Sequence, residues 1–285
     1  MKSNELTIAI VDTAFYPLAT RSIETALAIT DAKRVLVMSN QDFFPGSEFV
    51  KIDPINDKRD YSRLMLKELG RHITTDRFMV IQYDGIPIDR DLWQDDFMKY
   101  DYIGATWPWG PADQRVGNGG FSIRSRRIHE LCLQDEMEFD PPGYGDNNYM
   151  EDTHICKLYR GWLESQGMTY APPALANQFS AEFPGGRFPT YGFHGTLCLP
   201  HYLSDDHMKF YIENLPNDFF LDVTQTRILF GLFLAQRWEL MEIMMDRGME
   251  LDPNFPQRLF DLFNKESSLW PGMTIHDLQQ VLINY

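Results

Sequence analysis

The sequence predicts an α/β protein: a mostly parallel mixed sheet flanked by helices, followed by an all-helical extension. Three observations lead there. Over the first hundred residues, short apolar runs alternate with segments of helical spacing, the pattern of strand–helix–strand units. Four of those runs stop on a polar or acidic residue, Asp12, Asn40, Asp53 and Asp84, and in an open sheet such ends gather along one edge. From about residue 201 the strand pattern vanishes and only helical periodicity remains.

The elements follow in order. LTIAIVD is an apolar run closed by Asp12, and LATRSIETALAI after Pro17 has apolar residues at helical spacing. RVLVMSN predicts a second strand and EFVKID a third. DYSRLMLKELGRHI reads as an amphipathic helix whose start is marked by Asp60 or Ser62. RFMVIQYDG is the next strand, then a short helix in DLWQDDFMKY and a strand in DYIGAT.

The middle third changes character. WPWGPADQRVGNGGFSIRSRR and FDPPGYGDNNYMED are rich in Gly, Pro, Asn and aromatics, and long loops inside a compact domain are usually functional. Within and between them FSIRS reads as a strand and SRRIHELCLQD as a helix. EDTHICKLYRGWLESQG is a longer helix, with Ile155, Leu158, Tyr159, Trp162 and Leu163 on one face and Gly167 at its end. MTYAPPALANQFSAE reads as strand-like and FPGGRFPTYGFHG as a glycine-rich segment. Four helices are expected beyond: DDHMKFYIENL, QTRILFGLFLAQRWELMEIMMDRG, FPQRLFDLFNKES and TIHDLQQVLINY. They show no fixed period, which argues against a solenoid. The expected division is a sheet domain over residues 1–200 and a helical cap or oligomerisation arm over 201–285.

Composition narrows the partners. The 285 residues are 44% hydrophobic and 14% aromatic, ample for a core. With 26 basic against 41 acidic residues the formal charge is −15, which disfavours nucleic acid and anionic membranes, since both need clustered Lys and Arg. Three widely spaced cysteines, Cys132, Cys156 and Cys198, make a poor disulfide framework and suggest a reducing compartment. The opening MKSNELTIAIVDT lacks an apolar stretch of signal-peptide length, and no run is long enough to cross a bilayer. A cytoplasmic location is expected.

Four segments carry candidate chemistry. Asp84 ends a buried strand at Asp-Gly, which is either a good turn or a carboxylate presented to Mg²⁺ or Mn²⁺, with a diphosphate supplying further oxygens. Asn118-Gly119-Gly120 precedes a strand and permits either a turn or the close approach of a ligand, with Arg124, Arg126 and Arg127 nearby. Glu151 and Asp152 open a helix, where the dipole favours acids whatever their role, but where a carboxylate can also act as general base. His194, in YGFHG, is a structural histidine or an added metal ligand.

In that order these features resemble GT-A-fold nucleotide-sugar glycosyltransferases. More narrowly, DYSRLMLKEL, VIQYDGIPI, DYIGATWPW, VGNGGFSIRSRR, EDTHICKLYR, APPALANQFSAE and YGFHG resemble one glycosyltransferase-like domain family of bacteria and eukaryotes. The resemblance covers roughly residues 6–198 and leaves out the helical tail. It implies a Rossmann-like GT-A sheet and a metal at Asp84, the last acid of the Asp-x-Asp motif, with His194 as a further ligand. The first acid of that motif is replaced by Gln82, which puts the strength of metal binding in question. Asp152 matches the acid that serves as base in many inverting members, with Glu151 beside it. Asn118, Gly119 and Gly120 match the loop against the donor sugar or acceptor, and Trp107 adds an aromatic face. Val11, Asp12, Thr13, Arg59, Tyr61, Arg63, Gln82, Tyr83 and Gly85 match the donor and nucleotide side.

The implied function is transfer of a sugar from a nucleotide-diphosphate sugar, with uridine diphosphate as carrier, to a hydroxyl of a glycan or other acceptor. Polysaccharide assembly is the implied setting, and Mn²⁺ or Mg²⁺ the implied cofactor. Homo-oligomerisation through the helical tail is a further expectation. A nucleotide-sugar or glycan binding module with a degenerate metal site is the alternative. Trp93, Trp107, Trp109, Tyr144 and Tyr149 offer faces for sugar C–H surfaces, although core packing accounts for aromatics equally well.

Overall fold

The computed structural model describes residues 6–107, 111–139, 150–183, 189–222 and 224–266. They fall into two compact units, 1–195 and 196–285.

The first unit is built on a six-stranded sheet. Strand β1 (Leu6–Val11) is buried throughout and lies between β2 (Arg34–Ser39) and β4 (Arg77–Val80), both parallel to it. Strand β3 (Glu48–Lys51) extends the parallel set beyond β2. On the far side β7 (Ser122–Ser125) runs antiparallel to β4, and β6 (Tyr102–Gly104) antiparallel to β7, giving the order β3-β2-β1-β4-β7-β6. The sheet is therefore mixed and mostly parallel, as expected. Because β1 to β4 point the same way, Asp12, Asn40, Asp53 and Asp84 all follow strand ends on one edge.

Side-chain alternation explains how both faces are covered. Leu6, Ile8 and Ile10 join Ala19, Ile23 and Ala26 of α1 (Tyr16–Ile29) in one buried cluster. Ala9 and Val11 join Leu36, Met38, Phe78 and Met65 of α2 (Lys58–Lys67) in another. The start of α2 is set by neither Asp60 nor Ser62. Asp57 caps it, its carboxylate accepting from the backbone N–H of Arg59 and Asp60.

After β4 the chain makes a tight reversal in which Gln82 and Gly85 exchange both backbone hydrogen bonds, at 3.0 and 3.1 Å. It leaves the main sheet as β5 (Gly85–Pro87), which pairs antiparallel with β9 (Gly192–His194). A two-residue strand β8 (Ser180–Ala181) pairs parallel with β9 and completes a small second sheet. The segment expected as strand-like over 168–182 carries a helix at its centre, α6 (Pro173–Phe179), opening at Pro172-Pro173. DLWQDDFMKY forms two short 3₁₀ turns rather than one helix. Helix α3 (Arg126–Cys132) follows β7, capped by the Ser125 hydroxyl.

The acidic helix start divides into α4 (Glu151–Thr153), a π-helical stretch over His154–Leu158 and α5 (Arg160–Ser165). Tyr159 N–H donates to His154 C=O, five residues back, and Gly167 ends the segment at φ +82°.

The second unit is helical: α7 (Leu199–Tyr202), α8 (Asp205–Asn214), α9 (Asn217–Phe220), α10 (Thr224–Leu234), α11 (Trp238–Leu251) and α12 (Phe255–Glu266). The long helix expected over 225–248 is broken at Gln236, whose φ of 55° reverses the chain. Arg237 fixes the break by donating to the carbonyls of Pro200 and Leu203 and pairing with Asp205. Gly248 of α11 lets Phe255 pack against its backbone, since a Cβ there would lie 2.1 Å from the ring. TIHDLQQVLINY lies outside the described residues. Among the described residues no helix is long and apolar enough to cross a membrane.

Candidate active site at the strand-end edge

The second sheet decides what meets at the edge. Gly85 is the register partner of His194, and Gly195 N–H donates to the Asp84 carbonyl at 2.8 Å. These bonds bring Asp84 Oδ1 to 3.9 Å from His194 Nε2. Gln82, the residue in place of the first acid, turns its Oε1 to the same ring nitrogen at 3.2 Å. The other ring nitrogen meets the Glu182 carboxylate at 3.0 Å, just past the end of β8. Burial alone would lower the His194 pKa, but Glu182, with Asp84 and Asp152 adding to it, raises it to about 9.

Glycine is required here by contact rather than by backbone twist. Gly85, Gly119 and Gly120 are absent from the positive-φ residues. A Cβ on Gly85 would lie 2.8 Å from the Gly120 carbonyl oxygen and 3.0 Å from the His194 ring. On Gly120 it would lie 2.1 Å from His194 Nε2 and 2.6 Å from Gln82 Oε1. On Gly119 it would lie 2.3 Å from Glu151 Oε1, 2.6 Å from Arg124 Nη2 and 3.1 Å from Asp152 Cβ. The glycine pair thus has the histidine cluster against one residue and the helix-start acids against the other. Asn118 shapes this turn, its Oδ1 accepting from Gly120 N–H at 3.0 Å.

On the Gly119 side, Arg124 is fully buried on β7 and organises the acids. Its guanidinium donates to Glu151 Oε1 and to the Gly119 carbonyl, both at 2.9 Å, and to Ser122 Oγ. It also lies over the Tyr102 ring, whose hydroxyl donates to the carbonyls of Gly117 and Asn118. Glu151, expected to share catalysis with Asp152, is instead 3% exposed and committed to this ion pair, where it anchors the helix start. Asp152 is partly exposed. Its Oδ1 accepts from Thr153 N–H at 2.6 Å and its Oδ2 from Gly119 N–H at 3.3 Å. Burial first, then the neighbouring Glu151 charge, push its pKa above the ordinary carboxylate range, against the pull of Arg124.

The remaining predicted residues divide between the edge and its supports. Asp12 turns inward to accept from the backbone N–H of Ala14 and Phe15, and burial, with Asp84 nearby, raises its pKa to about 6. Thr13 Oγ1 accepts from Ile55 N–H, and Val11 is buried in the sheet. Tyr83 stacks on Phe15, ring centroids 4.1 Å apart. Tyr61 accepts from the Gln82 amide nitrogen at 2.6 Å. Arg59 and Arg63, one helical turn apart on α2, lie over Phe139 at 5.8 and 5.2 Å. Trp107 covers Gly117, where a Cβ would meet its ring at 2.3 Å. Trp93 packs edge-on to Phe97 and Tyr191 as a partly buried core residue. Trp109, Tyr144 and Tyr149 lie outside the described residues.

Among the described residues no group of three or more His, Cys, Asp and Glu side chains is arranged to hold a metal ion. The atoms that face one another are two such donors, Asp84 Oδ1 and His194 Nε2, with the neutral amide oxygen of Gln82 as a third. Hard and borderline divalent cations accept this donor chemistry, and two of the three atoms pack directly against the bare Cα of Gly120.

Fold and site together define an α/β domain with an acidic, histidine-containing edge. Residues 46–190 match the model of the family described as a protein of unknown function (DUF5672), and the chain belongs to that family. No curated protein matches. Three solved structures are similar at a distance. A galactosyltransferase, LgtC, in complex with donor and acceptor sugar analogues shares 15% identity at a TM-score of 0.45, over 66% of this chain and 86% of that one. A mannosyltransferase from Pyrobaculum calidifontis with GDP-Man and Mn²⁺ shares 11% at 0.40, over 98% and 79%. The apo glycosyltransferase GlyE of Streptococcus pneumoniae shares 11% at 0.43, over 85% and 64%. The fold assignment rests on the strand order above and not on these likenesses.

Proposed function

We propose that residues 1–195 form a nucleotide-sugar-dependent glycosyltransferase domain of GT-A type, with Asp152 as general base. The observation that supports this most is the meeting of Asp84, His194 and Asp152 around Gly119 and Gly120, although Gln82 and His194 are 112 positions apart in sequence. The sequence resemblance assigns these same residues to donor, metal and base.

The chemistry follows from the groups. The acceptor hydroxyl has a pKa far above neutral, so attack is helped by a base that is ionised near neutrality yet holds a proton well. Asp152, raised by burial and by Glu151, has that character. Gly119 N–H fixes one carboxylate oxygen, and the Arg124–Glu151 pair fixes the helix start from which Asp152 projects. As the acceptor oxygen bonds to the anomeric carbon, its proton passes to Asp152. The bond from that carbon to the diphosphate oxygen breaks, and its electron pair leaves with the diphosphate. Attack opposite the leaving group inverts the anomeric configuration. A divalent cation held by Asp84 and His194 would supply positive charge to the departing diphosphate. The bare backbone at Gly119 and Gly120 lets the base side and the cation side pack close together.

The test is transfer and hydrolysis of nucleotide sugars, uridine diphosphate sugars first, with and without Mn²⁺. Wild type should turn over, and Asp84→Ala and Asp152→Asn should both lose turnover. If both variants equal wild type in every productive assay, the assignment fails. Gln82 in place of an acid favours a second reading, a binding module without transfer. Tight calorimetric binding of nucleoside diphosphates with no turnover across acceptors would select it.

A further inference from the structure

Glu182 takes no part in the function above, yet it holds one of that site's central groups. It follows β8, which pairs in parallel with β9, and that register carries it alongside His194. Its Oε2 lies 3.0 Å from His194 Nδ1, with both side chains largely covered at 21% and 18% exposure. A carboxylate here accepts the Nδ1 proton, which fixes the ring's orientation; Nε2, the other ring nitrogen, donates to Gln82 Oε1 and gives up that proton where it ligates a cation. Nε2 faces Gln82 Oε1 at 3.2 Å and Asp84 Oδ1 at 3.9 Å.

Gln82 is held in the same way from its other end. Its amide nitrogen donates to the Tyr61 hydroxyl at 2.6 Å, which turns the amide oxygen toward the histidine. Tyr61 belongs to α2, and α2 is fixed in turn by its Asp57 cap and by Met65 in the core. Two outer groups from different parts of the chain therefore aim two inner atoms at one place. Both inner atoms pack against Gly120, where a methyl group would collide with them.

We infer that Glu182 and Tyr61 are positioning residues for a divalent-cation site whose donor atoms are Asp84 Oδ1, His194 Nε2 and Gln82 Oε1. The inference rests on the glycosyltransferase reading for the cation's purpose, but not for its geometry. It gives Gln82 a role in place of the missing acid: an oxygen donor without charge. It also explains the two outer hydrogen bonds on the histidine and the glutamine, since two uncharged donors beside one carboxylate need their atoms held in place more than a cluster of carboxylates does.

Direct Mn²⁺ binding to the full chain tests this, read from the loss of the free-ion paramagnetic resonance signal, with no nucleotide and no turnover. Circular dichroism and melting temperature check that each variant is folded. Wild type should bind, and Asp84→Ala and His194→Ala should abolish binding. Glu182→Ala should weaken binding about 10- to 100-fold, the range for losing an outer-shell carboxylate. Glu182→Gln should recover part of that loss, because its amide oxygen still accepts from Nδ1–H. Tyr61→Phe should cost about 2- to 12-fold, the worth of one neutral hydrogen bond. A folded Glu182→Ala that binds like wild type, while His194→Ala does not, overturns the role of Glu182 and leaves the cation site standing. Wild type that fails to bind Mn²⁺, or that binds no better than Asp84→Ala, overturns the whole inference. Sugar transfer measured without metal then judges the enzyme reading separately.

Discussion

On the Gly119 side of the glycine pair, the protein balances charge from within. A fully buried arginine meets Glu151 at 2.9 Å, and Asp152 beside it accepts from the backbone N–H of Gly119 and Thr153. On the Gly120 side, Asp84 and Glu182 flank a single histidine, and the third inner group is an amide. One flank carries its own cation, Arg124, while the other, on the proposed reading, offers donors to a divalent one. The lesson concerns division of labour. Under the proposed function, the base is held by Gly119 N–H on a helix start that the Arg124–Glu151 pair anchors, while the leaving-group side is aimed by hydrogen bonds to Glu182 and Tyr61.

The largest expected effect is on the first flank. Asp152→Asn keeps the shape but removes the base, and kcat should fall about 10²- to 10⁴-fold, while Mn²⁺ affinity stays close to wild type. A parallel loss of Mn²⁺ binding would show that the flanks are not separable. Next comes Arg124→Met, which leaves Glu151 buried without its partner. Urea unfolding should report about 3–5 kcal/mol lost, and the double variant Arg124→Met/Glu151→Leu should regain much of it. If the single and double variants unfold alike, the arginine is not the anchor described.

Gly120→Ala sharpens the contrast from the other flank. Its methyl group would lie 2.1 Å from His194 Nε2, so Mn²⁺ binding should drop at least about tenfold with a stability cost of about 1–3 kcal/mol from overpacking. Unchanged Mn²⁺ affinity in a folded Gly120→Ala protein would refute the need for a bare backbone beside His194 and Gln82. The smallest effect is in the pH profile of kcat/KM. Asp152 must be ionised to accept a proton, and its pKa is raised by burial and Glu151, so activity should rise with pH on a limb centred above the ordinary carboxylate value of about 3.9. A flat profile down to that range would take the proton away from Asp152.

Much of this edge could be read from the sequence, because strand ends obey a simple rule. LTIAIVD and FMVIQYDG show continuous burial followed by an acid, and parallel pairing of β1 to β4 then aligns the acids without further information. The glycine pair was legible as a place of close approach, though not what it approaches. What linked Asp84 to His194 was invisible: two three-residue strands, β5 and β9, too short to leave a periodic signal. Glu182 was missed for a related reason. It ends a strand in an acid, like Asp12 and Asp84, but the strand is two residues long and hidden behind α6. The Pro172-Pro173 start of that helix was a usable signal, as was Asp57 ahead of Asp60 for the cap of α2. The break at Gln236 had none, since a glutamine at positive φ is held by Arg237 and its carbonyl partners rather than by its own preference.

The π-helical stretch over His154–Leu158 begins two residues after Asp152 and puts one more residue in that turn than an α-helix would hold. Deleting a single residue there would restore regular winding. The carboxylate would then swing about 100° around the axis relative to Leu163, since each residue turns an α-helix by that amount. One surplus residue sets the compass bearing of the Asp152 carboxylate.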